Sequence, residues 1–358
     1  MARFHQLRVA AVEQLTDDSV TLTFEVPPAL REEFRYAPGQ HLAVRRFVDG
    51  VEIRRTYSIC APAPHPERPS EPATLRVGVR FVEGGAFSTY ALKEVAVGDE
   101  LEVMTPAGRF TLEPAPGRYA AVVGGSGITP VLSIVTTLLE RDPSATFCLV
   151  RSDRTTASTM FLEEVADLKD RWPERFQLVT VLSREEQQSG LDSGRLDEER
   201  LGRLLPALLP VDEVAGWFLC GPFGLVQGAE KTLRRLGVPR ERVHEEIFHI
   251  DDGLASPTPA ATSPAPANST VTVTLDGRSG TWPVRDGESL LDTVLRNRAD
   301  APYACKGGVC GTCRAFRVSG EVRMNRNFAL EPEETEAGYV LACQSHPATA
   351  TVELDFDR

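Results

Sequence analysis

The chain has 358 residues, room for two or three domains of ordinary size. Its 42% hydrophobic and 25% charged residues exclude a wholly disordered or fibrous protein. The 39 Lys and Arg against 51 Asp and Glu leave a net charge of −12, a poor match for nucleic acid.

No run of about 18 apolar residues occurs, so no membrane span is expected. The N-terminus, MARFHQLRVAAVEQLTDD, lacks the apolar stretch of a signal peptide. The expected location is therefore the cytoplasm, where thiols stay reduced.

The first ~113 residues read as all-β. Six β-rich runs bounded by Gly, Pro and Asp begin at Phe4, Ser19, His41, Glu52, Ala73 and Asp99. That spacing predicts a small antiparallel barrel, with one helix near 87–95. The Pro-rich stretch 62–72 reads as a surface loop. From residue 118 strand and helix alternate. YAAVVGG, TFCLVRS, FQLVTVLS and GWFLCGP are strands, and a helical run follows each. This predicts a parallel sheet with helices on both faces. Residues 251–270 are dominated by Pro, Ala, Ser and Thr without periodicity, and read as a semi-extended linker. The tail returns to short strands, TVTVTL and GTWPV, then the helix SLLDTVLRNR and a cysteine-rich loop.

Four of the seven cysteines lie in that tail. Cys305, Cys310 and Cys313 form C-x4-C-x2-C, and Cys343 follows at a distance. This is the plant-type [2Fe–2S] spacing; structural zinc, the rival reading, favours paired C-x2-C units. Gly307, Gly308 and Gly311 allow tight backbone turns around a cluster. Cys148 and Cys60 read as packing residues. The six histidines (His5, His41, His65, His244, His249 and His346) read as surface or packing residues.

Three further signals carry chemistry. Arg55-Thr56-Tyr57-Ser58 ends a strand; it offers a charge for a pyrophosphate, an aromatic face for a flavin ring and a hydroxyl for a ring nitrogen. Gly84-Gly85, followed by Ala86-Phe87-Ser88-Thr89, puts a helix start where its N–H groups can face a phosphate. Gly124-Gly125-Ser126-Gly127-Ile128-Thr129-Pro130 joins a strand to a helix, the context of a dinucleotide turn. Cys220-Gly221-Pro222 ends a later strand of the same sheet. Arg151-Ser152-Asp153-Arg154 ends another, where arginines can hold an adenosine 2′-phosphate. Each signal alone also fits an ordinary strand end or tight turn.

Taken together and in this order, RTYS, GGAFST, GGSGITP and CGP resemble the ferredoxin–NADP reductase superfamily. The plant-type cysteine loop at the C-terminus narrows the resemblance to oxygenase reductases. Further strings are similar to reductases serving a di-iron oxygenase in aerobic aromatic-acid catabolism: PGQH at 38–41, RRTYSIC, MTPAGRF, YACKGGVCGTC, ALEPEE, GYVLACQ and VELDFD. The resemblance spares only residues 62–72 and the linker.

It implies a multidomain α+β and α/β chain. An antiparallel β-barrel FAD domain would span 1–113, and a doubly wound parallel-sheet NAD(P)H domain 114–250. After the linker, a β-grasp [2Fe–2S] ferredoxin domain would span 271–358. It also implies roles. Arg55, Thr56, Tyr57 and Ser58 would contact FAD. Val77, Gly78 and Val79 would pass near the flavin, and Gly85, Ala86, Phe87, Ser88 and Thr89 would hold its pyrophosphate. Gly125, Gly127, Ile128, Thr129 and Pro130 would line the NADPH site. Cys220, Gly221 and Pro222 would lie at the nicotinamide, with Glu246 and Phe248 closing the flavin side. Tyr57, Ser58, Thr129, Cys220 and Glu246 would be the catalytic group, and Cys305, Cys310, Cys313 and Cys343 the iron ligands.

Relatives commonly carry Tyr-Gly-Asn-Arg where this chain has Arg151-Ser152-Asp153-Arg154. Arg154 matches and implies NADPH, whereas Asp153 is an acid of the kind that favours NADH. The implied activity is electron transfer from NADPH through FAD and the cluster to the oxygenase component of a multicomponent monooxygenase. The alternatives are the reductase of a Rieske-type ring or steroid hydroxylase, and a non-enzymatic iron–sulfur carrier.

Overall fold

Six strands pair in the order β4-β3-β6-β1-β2-β5 in a computed structural model that describes residues 3–68, 70–185, 194–249 and 269–358. They are β1 (Phe4–Thr16), β2 (Ser19–Glu25), β3 (His41–Val48), β4 (Val51–Ser58), β5 (Thr74–Arg80) and β6 (Glu100–Met104). That order leaves two edge strands, β4 and β5. An antiparallel bridge between Ile59 and Val77 brings those edges together and closes the sheet, which explains how so short a set of strands avoids open edges. Alternation drives the closure. Leu22, Phe24, Val77 and Val79 turn inward and are almost wholly buried, with Phe34 and Leu42 beside them. The helix α1 (Ala86–Lys93) follows the Gly84-Gly85 turn as expected.

The stretch read as a surface loop, 62–72, is tied down. Arg35 donates to the carbonyls of His65, Arg68 and Glu71, and Arg141 to those of Ala63 and Pro64.

The second sheet is parallel, in the order β11-β10-β7-β8-β9. Its strands are β7 (Arg118–Gly124), β8 (Thr146–Asp153), β9 (Phe176–Leu182), β10 (Val214–Pro222) and β11 (Val243–His249). The crossovers run through α2 (Ile128–Arg141), α3 (Leu162–Arg171), α4 (Glu198–Leu208) and α5 (Phe223–Arg235). Four strands were legible as short apolar runs; the fifth, β11, carries HEEIF and was not. Strand order reverses between β7 and β10, so the carboxyl ends of these two strands form the switch point where ligands bind in such sheets. Asp197 caps α4 by accepting the Arg200 N–H at 2.9 Å.

The tail forms a mixed sheet, β13-β12-β18-β14-β16. Its members are β12 (Thr270–Leu275), β13 (Arg278–Pro283), β14 (Arg314–Ser319), β16 (Tyr339–Leu341) and β18 (Thr351–Asp355); β15 (Val322–Met324) pairs with β17 (Ser345–Pro347). β12 shows why a strand forms there. Val271, Val273 and Leu275 face the core, while Thr272 and Thr274 make hydroxyl contacts to Thr281 and Ser279 at 2.9 and 2.8 Å. Two helices, α6 (Leu290–Asn297) and α7 (Pro332–Ala337), complete the tail. β12 runs parallel to β18, while β12–β13, β14–β16 and β14–β18 are antiparallel, which is the expected β-grasp arrangement.

The chain divides into two compact units, each described by itself: residues 5–53 with 57–249, and residues 269–358 with which 3–4 and 54–56 are grouped. The linker expected over 251–270 lies, up to residue 268, outside the described residues.

Candidate functional site

The switch point is built from glycines that let two turns touch. A Cβ on Gly127 would lie 2.2 Å from the carbonyl oxygen of Cys220, and one on Gly221 would lie 2.9 Å from the Gly124 backbone. No side chain fits at either position, so the dinucleotide turn and the CGP turn approach to backbone distance. Ile128, Thr129 and Pro130 are all buried in α2, which anchors the turn. The Thr129 hydroxyl donates to the Ser126 carbonyl at 3.0 Å, and its methyl lies 2.8 Å from where a Gly78 Cβ would be.

That contact revises the reading of β5. Val77 and Val79 point into the barrel core and are fully buried, so only the Gly78 face of the strand is turned toward Thr129. The period of two dictates this. Met160 and Phe161 also pack at Gly78.

Cys220 pairs in register with Glu246 across β10 and β11. Ser58, at the end of β4, donates to Glu246 Oε2 at 3.3 Å. The structure thus gathers Ser58, Cys220 and Glu246, which lie far apart in the chain. Glu246 keeps 14% side-chain exposure. Burial pushes its carboxyl up to about 8, opposed by the Ser58 hydrogen bond. Burial, then the nearby Glu246, pushes the Cys220 thiol well up, so it is a neutral thiol and not a nucleophile. Phe248 packs against the same core.

Sequence reasoning missed His41. It is 3% exposed, and its Nδ1 lies 3.9 Å from Glu246 Oε1. It closes the PGQH string at 38–41, but its partner carboxyl is about 200 residues away and nothing in the sequence pairs the two. Of the two readings, surface or packing, burial fits packing, and the neighbour it packs beside is the carboxyl.

Tyr57 is half-buried over Phe87, with ring centroids 5.3 Å apart and planes tilted by 38°. Phe87 is buried and supports Tyr57, so any phosphate contact at this position falls to its backbone. Ser88 is also buried. Its hydroxyl accepts the Val82 N–H at 3.1 Å and donates to the Gly85 carbonyl at 3.1 Å, shaping the loop. The first-turn N–H groups of α1, including those of Ala86 and Phe87, are the donors such a helix start offers an anion. The Thr89 N–H is spent on the Gly85 carbonyl. Arg55 is exposed and Thr56 half-buried at the end of β4. This set fits a flavin dinucleotide: an aromatic face, a hydroxyl, an exposed guanidinium and a helix start.

The 151–154 quartet divides in two. Arg151 and Asp153 form a buried pair, Nε to Oδ2 at 2.8 Å, with both side chains 1% exposed. Asp153 is therefore turned inward onto Arg151 and is not an exposed carboxylate at the strand end. Arg154 is exposed at the strand end. Its carbonyl accepts the Arg184 N–H at 2.9 Å, so a second exposed arginine lies alongside in the chain path.

In the tail the four cysteines sit as two pairs. Cys310 hydrogen-bonds Cys305, and the Gly307, Val309 and Cys310 N–H groups also point at the Cys305 sulfur; together these lower the Cys305 thiol. Cys313 hydrogen-bonds Cys343, which Gln344 and the Gly308 N–H also approach, and the Cys343 thiol is lowered. Gln344 Nε2 reaches the Lys306 carbonyl at 2.8 Å and so ties the Cys343 segment to the loop. A single zinc needs four converging donors, whereas two sulfide-bridged irons need two cysteines each. The paired sulfurs and their N–H donors fit [2Fe–2S]. Gly308 and Gly311 have left-handed backbones, φ +79 and +68, and Lys306 has φ +53. Gly307 does not share that conformation; it contributes its N–H, 3.3 Å from the Cys305 sulfur.

Comparison with known proteins decides the family. Three domain families match: an oxidoreductase FAD-binding domain over residues 6–112, an oxidoreductase NAD-binding domain over 122–231, and a 2Fe-2S iron-sulfur cluster binding domain over 273–348. The chain is 43% identical to one of the subunits of 1,2-phenylacetyl-CoA epoxidase from Escherichia coli, covering 100% of this chain and 99% of that one. This chain belongs to the ferredoxin–NADP reductase superfamily. The reductase is also 33% identical to the ferredoxin reductase component of 3-ketosteroid-9-alpha-monooxygenase from Rhodococcus rhodochrous, over 98% of this chain and 96% of that one. Phthalate dioxygenase reductase shares its fold, with a TM-score of 0.61, 22% identity and coverage of 99% and 98%. The reductase is thus an oxidoreductase with FAD, NAD and [2Fe–2S] domains. Among its described residues no helix is long and apolar enough to cross a membrane.

Proposed function

We propose that this reductase delivers electrons from NADPH, through FAD and the [2Fe–2S] cluster, to the di-iron oxygenase component of a phenylacetyl-CoA epoxidase in the cytoplasm. The observation that carries this reading is the end-to-end match: 43% identity over 100% of this chain and 99% of the relative. We read the domains as 1–113, 114–250 and 271–358, joined by 251–270.

When bound, FAD accepts a two-electron hydride and yields electrons singly, which the one-electron cluster requires. The protein's part is placement. Tyr57, braced by Phe87, offers the flavin an aromatic face. Ser58 presents its hydroxyl from the end of β4 while Glu246 accepts from it. The neutral Glu246 carboxyl can hold a proton at Oε1 or Oε2 beside that hydroxyl. Gly127 and Gly221 bring the nucleotide turn against the CGP turn, and the Thr129 methyl packs at Gly78. Cys305 with Cys310, and Cys313 with Cys343, would each hold one iron. Inward-turned Asp153 and exposed Arg154 support NADPH over NADH.

The test is reconstitution. The purified reductase is combined with phenylacetyl-CoA epoxidase subunits, phenylacetyl-CoA and NADPH, and epoxide is measured; the same reductase is offered a Rieske-type steroid hydroxylase. Epoxide formation is expected. Turnover with the hydroxylase alone would establish the second reading, which rests on the 33% match. Purification of the chain with cluster absorbance but no flavin bands would support a bare carrier, against which the matched FAD- and NAD-binding domains already count.

A further inference from the structure

The histidine at the start of β3 is held more firmly than a packing residue needs. Its backbone bonds Ala107 in both directions, at 2.8 and 3.0 Å. The next residue of that segment, Gly108, has φ +112, and a Cβ there would lie 2.8 Å from His41 Nδ1 and 3.1 Å from Cε1. Glycine therefore leaves the space that the imidazole fills. Buried Nε2 has no hydrogen-bond partner. Nδ1 faces Glu246 Oε1 at 3.9 Å, the usual hydrogen-bond length being about 2.9 Å. The other carboxyl oxygen, Oε2, is already taken by Ser58.

A buried carboxylate alone and a buried imidazolium alone are both costly. One proton between the two groups avoids both, because the pair stays neutral overall whichever atom carries it. A neutral imidazole has one nitrogen that accepts, and a protonated carboxyl has one hydrogen to donate. We propose that His41 is a positioning residue for Glu246: Nδ1 and Oε1 share one proton, and the imidazole fixes the carboxyl so that Oε2 stays on Ser58. Burial pushes His41 down to about 4 and Glu246 up to about 8, both in the direction of the neutral pair. The groups facing the carboxyl are His41 from β3, Ser58 from β4 and the neutral Cys220 thiol from β10. The inference rests on the proposed function only for the purpose of the carboxyl; the pairing is tested without turnover.

The experiment uses the full chain with its cofactors, labelled with 15N-histidine, and follows ring nitrogens by NMR from pH 5 to 9. His41→Asn assigns the signal. The Glu246 carboxyl is followed in parallel by infrared spectroscopy and assigned by Glu246→Gln. The expected result is that His41 shows no independent protonation near about 6.5, that its Nδ1 signal shifts at the midpoint of the Glu246 carboxyl band, and that Glu246→Gln abolishes that shift. Glu246→Asp serves if Glu246→Gln does not fold, since its shorter reach should displace the shared midpoint. Independent titration of His41 near 6.5, or a His41 signal unmoved by either Glu246 variant, overturns the proposal. Those outcomes leave the electron-transfer reading intact, while a failed reconstitution leaves the shared proton intact.

Discussion

At the scale of single residues, the site's most consequential feature is a carboxyl kept neutral. Burial penalises the charged form of Glu246 and pushes its carboxyl up to about 8 from an ordinary 4.5. A raised pKa means a contribution to stability that is complete below about 4.5 and is lost as pH rises through about 8. His41, depressed to about 4 from 6.5, works in the opposite window: its contribution is present above 6.5 and lost as pH falls toward 4. Comparing Glu246→Gln with the parent isolates the carboxyl. The two melting curves should nearly coincide at pH 5, and the parent should lose ground to the variant by pH 8. Parallel curves across that range, read by calorimetry on the holoprotein, would show that Glu246 ionises normally. The nucleotide end gives a second residue-scale prediction. With Asp153 sequestered by Arg151, Arg154 is the exposed charge at the strand end. Removing a guanidinium–phosphate hydrogen bond at an exposed site costs about 1.5 kcal/mol, roughly tenfold. Arg154→Ala should raise KM for NADPH by about that factor and leave KM for NADH nearly unchanged. Equal effects on both coenzymes would remove Arg154 from the 2′-phosphate.

The cluster loop is the element whose conformation most constrains its sequence. Gly308 has φ +79, and its N–H reaches the Cys343 sulfur. A Cβ there would lie 3.0 Å from Gln344 Cγ and 3.2 Å from the Arg326 carbonyl oxygen. Gly308→Ala would add left-handed strain of about 1–2 kcal/mol to that crowding. We expect lower iron and sulfide per chain and a lower melting temperature; full cluster content with unchanged melting would refute the strain argument. Elements of this kind were legible because their signals are local. The x4 and x2 spacing, the alternation in TVTVTL and the strand–helix rhythm after residue 118 each lie within a short window, and all appear as read. The missing pieces were non-local. β11 is a polar-looking HEEIF whose strand character comes from pairing with β10. His41 acquires meaning from a carboxyl about 200 residues later. Asp153 has the look of a coenzyme determinant in the sequence, but it is buried with a partner two positions back. Even Gly307, grouped with its glycine neighbours by sequence, serves through its N–H and not through its backbone freedom.

For the whole molecule, the constraint is electron counting. A hydride carries two electrons and a [2Fe–2S] cluster takes one, so the flavin-binding region has to stand between nucleotide and cluster in the sequence of transfers. The chain supplies all three stations, with FAD-binding, NAD-binding and cluster-binding regions matched over residues 6–112, 122–231 and 273–348. This division makes the cluster separable in function. Cys310 is half of the pair proposed to hold one iron, and a serine there replaces a thiolate with a hydroxyl, which binds iron weakly. Cys310→Ser should abolish NADPH-dependent cytochrome c reduction, because that large one-electron acceptor draws on the cluster. Ferricyanide is small enough to take electrons at the flavin, so its reduction should persist at the parental rate. The visible spectrum guards the comparison, since the flavin bands must remain while the cluster shoulders fade. If the variant retains its flavin yet loses both activities together, the two-electron to one-electron path does not divide at the cluster. If it keeps cytochrome c reduction with the cluster gone, the flavin serves large acceptors directly, and the tail has a role other than carrying electrons outward.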